Sequence, residues 1–284
     1  MKREEIVFRR KEAREILKLK EKAGVPYLYF PLLEETGLVI HGISTRLGGV
    51  SAGDCASMNF AANRGDPQEN IRENYRRMAA ALGFAPEKIV LSYQTHSVNI
   101  RQVTKEDAGK GYCREREYRD MDGLMTDVPG LMLVTAYADC VPLLFVDPVR
   151  RVVANSHSGW RGTVSGMGRR TVEAMQAAYG CDPSDLLVGI GPSICGDCYE
   201  VGEDVAEHFE GEGEAVVRPI AEKPGKYLLD LWEANRRMLR KAGVRPEHIC
   251  VTDICTCCNK ELLFSHRGSR GRRGNMAAFL GLRP

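Results

Sequence analysis

Apolar positions along the chain fall into short alternating or continuous runs, separated by Gly- and Pro-bearing turns and a few stretches of helical period. Residues 9–23, dominated by charged side chains, predict a surface helix, and GVPYLYFPLL after them supplies Gly and Pro punctuation. Residues 1–35 are therefore expected to form a helical appendage to a catalytic domain spanning 36–284. GLVIHGISTRLGGVS predicts a short strand running into a Gly-rich turn. DPQENIRENYRRMAAALG predicts a helix, with Pro67 near its first turn and Gly83 just past its end. KIVLSYQTHSVNIRQV fits one long strand or two broken ones, and TKEDAGKGYCREREYRD reads as an exposed loop.

The middle of the chain is the richest in apolar runs. GLMLVTAYADC, VPLLFVDP and RVVANSHSG predict three successive strands, separated by Pro142 and a DPVR turn. VSGMGRRTVEAMQAAYG predicts a helix with Met175 and Ala178 facing inward and Gly180 as its stop. DLLVGIGPSI and EHICVTDI predict strands flanking the helices EDVAEHFEG and DLWEANRRMLRKAG, and LLFSHRG and NMAAFLGL close the chain. Strands in adjacent runs with helices between them indicate one domain of α/β (α+β) type with mixed sheets, rather than a strict βαβ repeat.

With 284 residues, 43% of them hydrophobic, a sizeable core is available. The formal net charge of +2 gives no electrostatic case for a nucleic-acid partner. The N-terminus lacks the apolar core of a signal peptide, and no run approaches the ~20 apolar residues of a membrane span, so a cytoplasmic location with no membrane partner is expected. A monomer is the default. Ten cysteines in such a chain read as reduced thiols. CGDC, with Cys195 and Cys198, has the two-residue gap of zinc hairpins. CTCC packs Cys255, Cys257 and Cys258 too closely for a standard second half, so both clusters are read as free thiols serving as small hydrophobes.

The acid and thiol of TAYADC, Asp139 and Cys140, interrupt an otherwise apolar stretch. His96 and His157 likewise stand where an apolar strand meets a polar turn, a position from which a rigid sheet aims side chains into a cleft. His208 and His248 read as surface residues and His41 as a satisfied core histidine. One thiolate and two imidazoles make the three-ligand set of a catalytic zinc, with Asp139 free to orient a histidine or contact substrate. The same atoms also suit a Cys–His nucleophile or an inert core cysteine beside two hydrogen-bonded histidines. TRLGGVSAG and the basic run HRGSRGRRG are compatible with anion contact but match no nucleotide-binding fingerprint.

Taken together, HGISTRLGGVS, YQTHS, DGLMTDVPGLMLVTAYADCVPLLFVDP, VANSHSGWRGT, GIGPSICGDCYEVG and FSHRGSRGRRGNMAAFLGL closely resemble the YfiH family, labelled laccase-like or polyphenol-oxidase-like and also peptidoglycan editing factors. The resemblance runs from about His41 to the C-terminus. It implies a layered α/β sandwich, one zinc ion per chain on His96, Cys140 and His157, and purine nucleoside chemistry. That chemistry is phosphorolysis of adenosine, inosine, guanosine and methylthioadenosine, with phosphate as co-substrate, and deamination of adenosine to inosine. Ser158 stands where the family usually has Ala, and His266, Arg267 and Gly268 where it has an aromatic and two basic residues. Asp139 is the candidate general acid for deamination. Arg46 and Arg161 are candidates for phosphate, and Ser44 and Asn59 for ribose or base. A Cys–His hydrolase acting on a peptidoglycan precursor is the alternative. A copper polyphenol oxidoreductase is disfavoured, since the six scattered histidines contain no HxH pair.

Overall fold

A computed structural model describes residues 6–12 and 15–284. Its strands are β1 (Lys18–Lys22), β2 (Val25–Tyr29), β3 (Val39–Ser44), β4 (Ile89–Leu91), β5 (Ile100–Gln102), β6 (Gly123–Thr126), β7 (Met132–Tyr137), β8 (Val141–Asp147), β9 (Val152–Ser158), β10 (Leu187–Ile190), β11 (Glu200–Gly202), β12 (Val217–Pro219), β13 (Lys226–Leu229), β14 (Ile249–Val251) and β15 (Met276–Leu282). The helices are α1 (Pro31–Glu34), α2 (Gln68–Leu82), α3 (Trp160–Val164), α4 (Met167–Tyr179), α5 (Glu203–Ala206) and α6 (Leu231–Lys241). One six-stranded sheet has the order β1-β2-β3-β15-β7-β4 and a second has β14-β10-β8-β9-β6-β5, while β11-β13-β12 forms a small third sheet.

Side-chain alternation sets the layers. Ala278 and Leu280 of β15 share a central apolar layer with Leu144 and Val146 of β8 and Val153 of β9, so the two large sheets face one another. The intervening residues turn outward. Ala277 and Phe279 pack with Ile71, Tyr75 and Met78 of α2. Leu143 and Phe145 pack with Val172 and Met175 of α4 and Leu239 of α6. The result is the mixed, layered sandwich expected, with helices on both outer faces. α2 is built for its place: its buried residues recur at three- and four-residue spacing, and Gly83 ends it in the left-handed region at φ 81, donating its N–H to Ala79 O.

Several local expectations are corrected. Within the described part of 9–23 there is no helix. Residues 13 and 14 of that stretch lie outside the described residues, as do residues 1–5 of the expected appendage. Lys18–Lys22 instead pairs with Val25–Tyr29 in an antiparallel hairpin closed by Ala23 and Gly24, at φ 50 and 76, the two positive angles of a type I′ turn. β2 pairs antiparallel with β3, so this hairpin extends the first sheet. The three middle strands are not neighbours in one sheet: β7 belongs to the first, whereas β8 and β9 form a hairpin in the second. Pro142 lies inside β8, opposite His157. Of the two readings of KIVLSYQTHSVNIRQV the broken one holds, as β4 and β5 in different sheets, while LLFSHRG forms turns and Ala178 is exposed with Met175 buried.

Candidate metal centres and active site

The chain crosses between the two large sheets at the ends of β4 and β7, which run parallel to each other. Both crossings need a tight reversal, and each is made by a non-glycine residue in the left-handed region, His96 at φ 67 and Asp139 at φ 81. Such backbone is costly, and it concentrates where function demands a fixed side-chain direction. Gln94 anchors the first crossing. Its side-chain amide donates to Ala136 O at 2.6 Å and accepts from Ala136 N at 2.8 Å, in effect extending the β4–β7 ladder past the end of β4. The β8–β9 register then sets Val141 opposite Ser158 and Pro142 opposite His157, which brings the Cys140 and His157 side chains together.

The ligand atoms of His96, Cys140 and His157 all lie within 4.8 Å of one another, with Cys140 Sγ 4.0 Å from His96 Nε2. Gly159 sits directly against them. A Cβ there would stand 3.0 Å from Cys140 Sγ and 3.1 Å from the His96 ring, so only glycine leaves this space clear.

Asp122, which the sequence reading did not single out, organises the site. Fully buried, it accepts a hydrogen bond from His157 Nδ1 at 2.7 Å and from the backbone N–H groups of Thr95 at 2.8 Å, Ser97 at 3.0 Å and His96 at 3.2 Å. Burial opposes its ionisation, but the bonds from His157 and from these N–H groups outweigh it and hold the carboxyl below the ordinary range. With Nδ1 bonded to Asp122, Nε2 is the His157 nitrogen left to face a ligand, and a metal ion would take it by displacing its proton. Burial likewise opposes a Cys140 thiolate. The neighbouring His157 and His96 overcome this and lower the thiol to about 6. Burial disfavours charge on His157 too, yet Cys140 and Asp122 raise it to about 9.

The remaining candidates occupy different settings. Asp139 contacts neither histidine: its carboxylate accepts from Thr256 Oγ1 at 2.5 Å and Arg267 N at 2.7 Å, tying two distant loops to the β7–β8 crossing. Arg46 donates to Ala56 O at 2.9 Å and Lys260 O at 2.7 Å, closing the Gly-rich turn. Ser44 is buried and accepts from Ala277 N at 3.0 Å, and Asn59 is buried between Ala61, Asp66 and Asn275. Arg161 is different, being exposed and resting on the Trp160 ring at 4.4 Å. Its charge, with those of Cys140, Asp139 and Arg267, reaches Tyr199, whose phenol is raised chiefly by burial. The Ser158 hydroxyl is absorbed by Thr163 Oγ1 at 3.0 Å and Asn235 Oδ1 at 3.2 Å. His41 is the core histidine expected, accepting from Phe30 N at 3.0 Å.

A second constellation corrects the reading of the cysteine clusters. The Sγ atoms of Cys195, Cys198, Cys255 and Cys258 lie within 4.8 Å of one another, a set that could hold a metal such as zinc. Cys255 and Cys258 have the same two-residue gap as Cys195 and Cys198, and it is Cys257 that stands outside the set. Among the described residues no helix is long and apolar enough to cross a membrane.

Residues 40–283 match the family described as multi-copper polyphenol oxidoreductase laccase. A purine nucleoside phosphorylase YlmD of Geobacillus stearothermophilus is 40% identical over 86% of this chain and 90% of its own. A purine nucleoside phosphorylase of Deinococcus radiodurans is 39% identical over 89% and 93%. Among solved structures, the Bacillus licheniformis hypothetical protein YfiH superimposes with a TM-score of 0.87 at 33% identity, covering 93% of this chain and 99% of that one. By its motifs, its sandwich and these likenesses, the chain belongs to the YfiH/laccase-domain family.

Proposed function

We propose that this protein is a zinc-dependent purine nucleoside phosphorylase acting on adenosine, inosine, guanosine and methylthioadenosine, with adenosine deamination to inosine as a second activity. The observation that carries the proposal is the convergence of His96, Cys140 and His157 around one point, with Asp122 bonded to His157 Nδ1 so that Nε2 is the nitrogen left for a ligand. Relatives named purine nucleoside phosphorylases support the choice of substrate class.

The donor set suits zinc: two imidazoles and one thiol already inclined to ionise, leaving a fourth position open. A bound zinc ion supplies Lewis acidity and brings water near to neutral pKa. The chain's own residues do the rest. Gly159 keeps the approach to Cys140 and His96 clear, and Asp122 fixes the 95–97 loop against His157. Arg161, exposed beside the site, is the residue assigned to phosphate, since its guanidinium rests on the Trp160 ring with no ion pair among the described residues, and a planar fork matches phosphate oxygens. Ser44, Arg46 and Asn59 serve by fixing the loops around the site, and Asp139 by holding the crossing that presents Cys140.

One observation favours a second reading. Cys140, His157 and Asp122 also form a thiol–imidazole–carboxylate series, the arrangement of a cysteine hydrolase, for which a peptidoglycan precursor is the alternative substrate. Multicopper oxidation is disfavoured because it needs further histidine clusters, whereas His96 and His157 are the histidines that join a metal-competent group among the described residues. The test is product analysis with adenosine and inosine, with and without phosphate. Base release that requires phosphate supports phosphorolysis, and inosine formed from adenosine without phosphate supports deamination. Folded, zinc-loaded protein inert to both nucleosides would turn attention to thiol-dependent hydrolysis.

A further inference from the structure

We propose that Cys195, Cys198, Cys255 and Cys258 hold a second zinc ion, structural in role, that locks the loops bracing the His96–Cys140–His157 site. The topology builds this centre. β10 and β14 are parallel neighbours, so the chain leaves both at the same end of the sheet, and the Ser193–Cys255 bridge continues their pairing into the two cysteine loops. Each loop contributes one C-x-x-C pair, the spacing of a tetrathiolate zinc site.

The backbone is turned toward the sulfurs. Cys195 N–H donates to Cys255 Sγ at 3.3 Å and Cys258 N–H to the same sulfur at 3.4 Å. Such N–H to sulfur bonds stabilise thiolate, the form that binds metal. Cys198 Sγ lies 3.5 Å from Cys258 Sγ, well beyond the ~2.05 Å of a disulfide, and the four sulfurs are mutually close rather than sorted into two bonded pairs. A zinc ion on four thiolates carries net negative charge. Lys11, which donates to Asp197 Oδ2 at 3.0 Å within the first cysteine loop, brings a compensating cation from the N-terminal segment.

The centre connects to the active site at Asp139, whose carbonyl accepts from Ile194 N at 3.0 Å beside Cys195. Thr256, between Cys255 and Cys258, takes its backbone bond to Ser193 O at 3.0 Å and gives its hydroxyl to Asp139, the residue that turns the chain into Cys140. Asn259, just after the second pair, accepts from Arg9 N at 2.7 Å and donates to Arg9 O at 3.0 Å, so the N-terminal segment is held by the same node. Zinc there would fix both attachments in one step. This inference is independent of what the first site turns over.

The test uses reduced full-length protein and separates the two centres by variant. Wild type should carry about two zinc ions per chain and Cys140→Ala about one. X-ray absorption on Cys140→Ala should report a sulfur-only shell at about 2.3 Å, a measurement that needs no disrupted cysteine cluster. Cys198→Ser combined with Cys258→Ser should lose that zinc and melt at lower temperature. Should the first site hold no zinc, wild type would carry about one ion with the same sulfur-only shell, and this proposal would stand while the reading of the first site fell. Cys140→Ala free of zinc, iron in place of zinc, nitrogen in its shell, or a Cys198–Cys258 disulfide in the native mass would each overturn the proposal.

Discussion

Asp122→Asn is a nearly isosteric change at the point where the site is most tightly specified. The native carboxylate serves five donors at once: His157 Nδ1, the N–H groups of Thr95, His96 and Ser97, and the Ser97 hydroxyl at 3.2 Å. Asparagine has one acceptor oxygen. If its NH2 replaces Oδ1, it meets the N–H groups of Thr95 and Ser97. If it replaces Oδ2, it meets both the His157 Nδ1–H and the His96 N–H, and moving the imidazole proton to Nε2 relieves only the first clash. The second arrangement keeps the Thr95 and Ser97 bonds, loses the one from His96 N, and blocks the nitrogen proposed to bind metal. Removing an orienting partner of this kind typically weakens metal binding by about 10–100-fold. At ~1.4 kcal/mol per tenfold, that is roughly 1.4–2.8 kcal/mol. A lost charge-assisted bond in a buried setting costs folding stability about 1.5–3 kcal/mol. Competition with a chromogenic chelator gives the zinc affinity of the first site, and urea unfolding gives the stability. Asp122→Asn with wild-type affinity and wild-type stability would refute the role assigned to Asp122.

Three further outcomes are expected. Gly159→Ala should fold but hold zinc at the first site more weakly. The added Cβ lies 3.0 Å from Cys140 Sγ, and overpacking of this kind costs about 1–3 kcal/mol, which metal titration beside a melting curve will separate from unfolding. Burial lowers the folded-state His41 to about 4 from 6.5, so the unfolded chain binds more protons between those values. Stability from a neutral His41 is complete above pH 6.5 and is lost as pH falls toward 4, by about 3 kcal/mol, and urea unfolding of wild type against His41→Gln should show that slope only in wild type. Thr256→Val should leave Asp139 short of a buried donor and cost about 1–3 kcal/mol, readable by the same method.

The residues that announce themselves in sequence are those whose surroundings are local. His96, Cys140 and His157 each end an apolar run, so their convergence at a sheet rim could be expected, and α2 carries both its apolar stripe and its terminal glycine within a single stretch. Asp122 could not be picked out in this way, because its partners lie in the 95–97 loop and on β9, joined to it only by the folded chain. The four-cysteine cluster is obscured differently: Cys257, between Cys255 and Cys258, makes CTCC look too crowded, and only the parallel pairing of β10 and β14, which brings the two halves 60 residues apart together, shows that Cys257 stands aside. The first hairpin is hidden because KLKEK carries charge at every position but Leu19 on an edge strand, a density that a helical surface shares, and its turn uses Ala-Gly rather than a commoner Asn-Gly signal.

The central claim is that the His96–Cys140–His157 site performs phosphorolysis of a purine nucleoside. It is tested most directly by base release from inosine by metal-stripped protein, before and after zinc is restored, at several phosphate concentrations. Hypoxanthine should appear only with both zinc and phosphate, rise with phosphate to saturation, and be lost in Cys140→Ala protein that remains folded. Release that is indifferent to zinc or to phosphate, or that survives in Cys140→Ala, would contradict the claim.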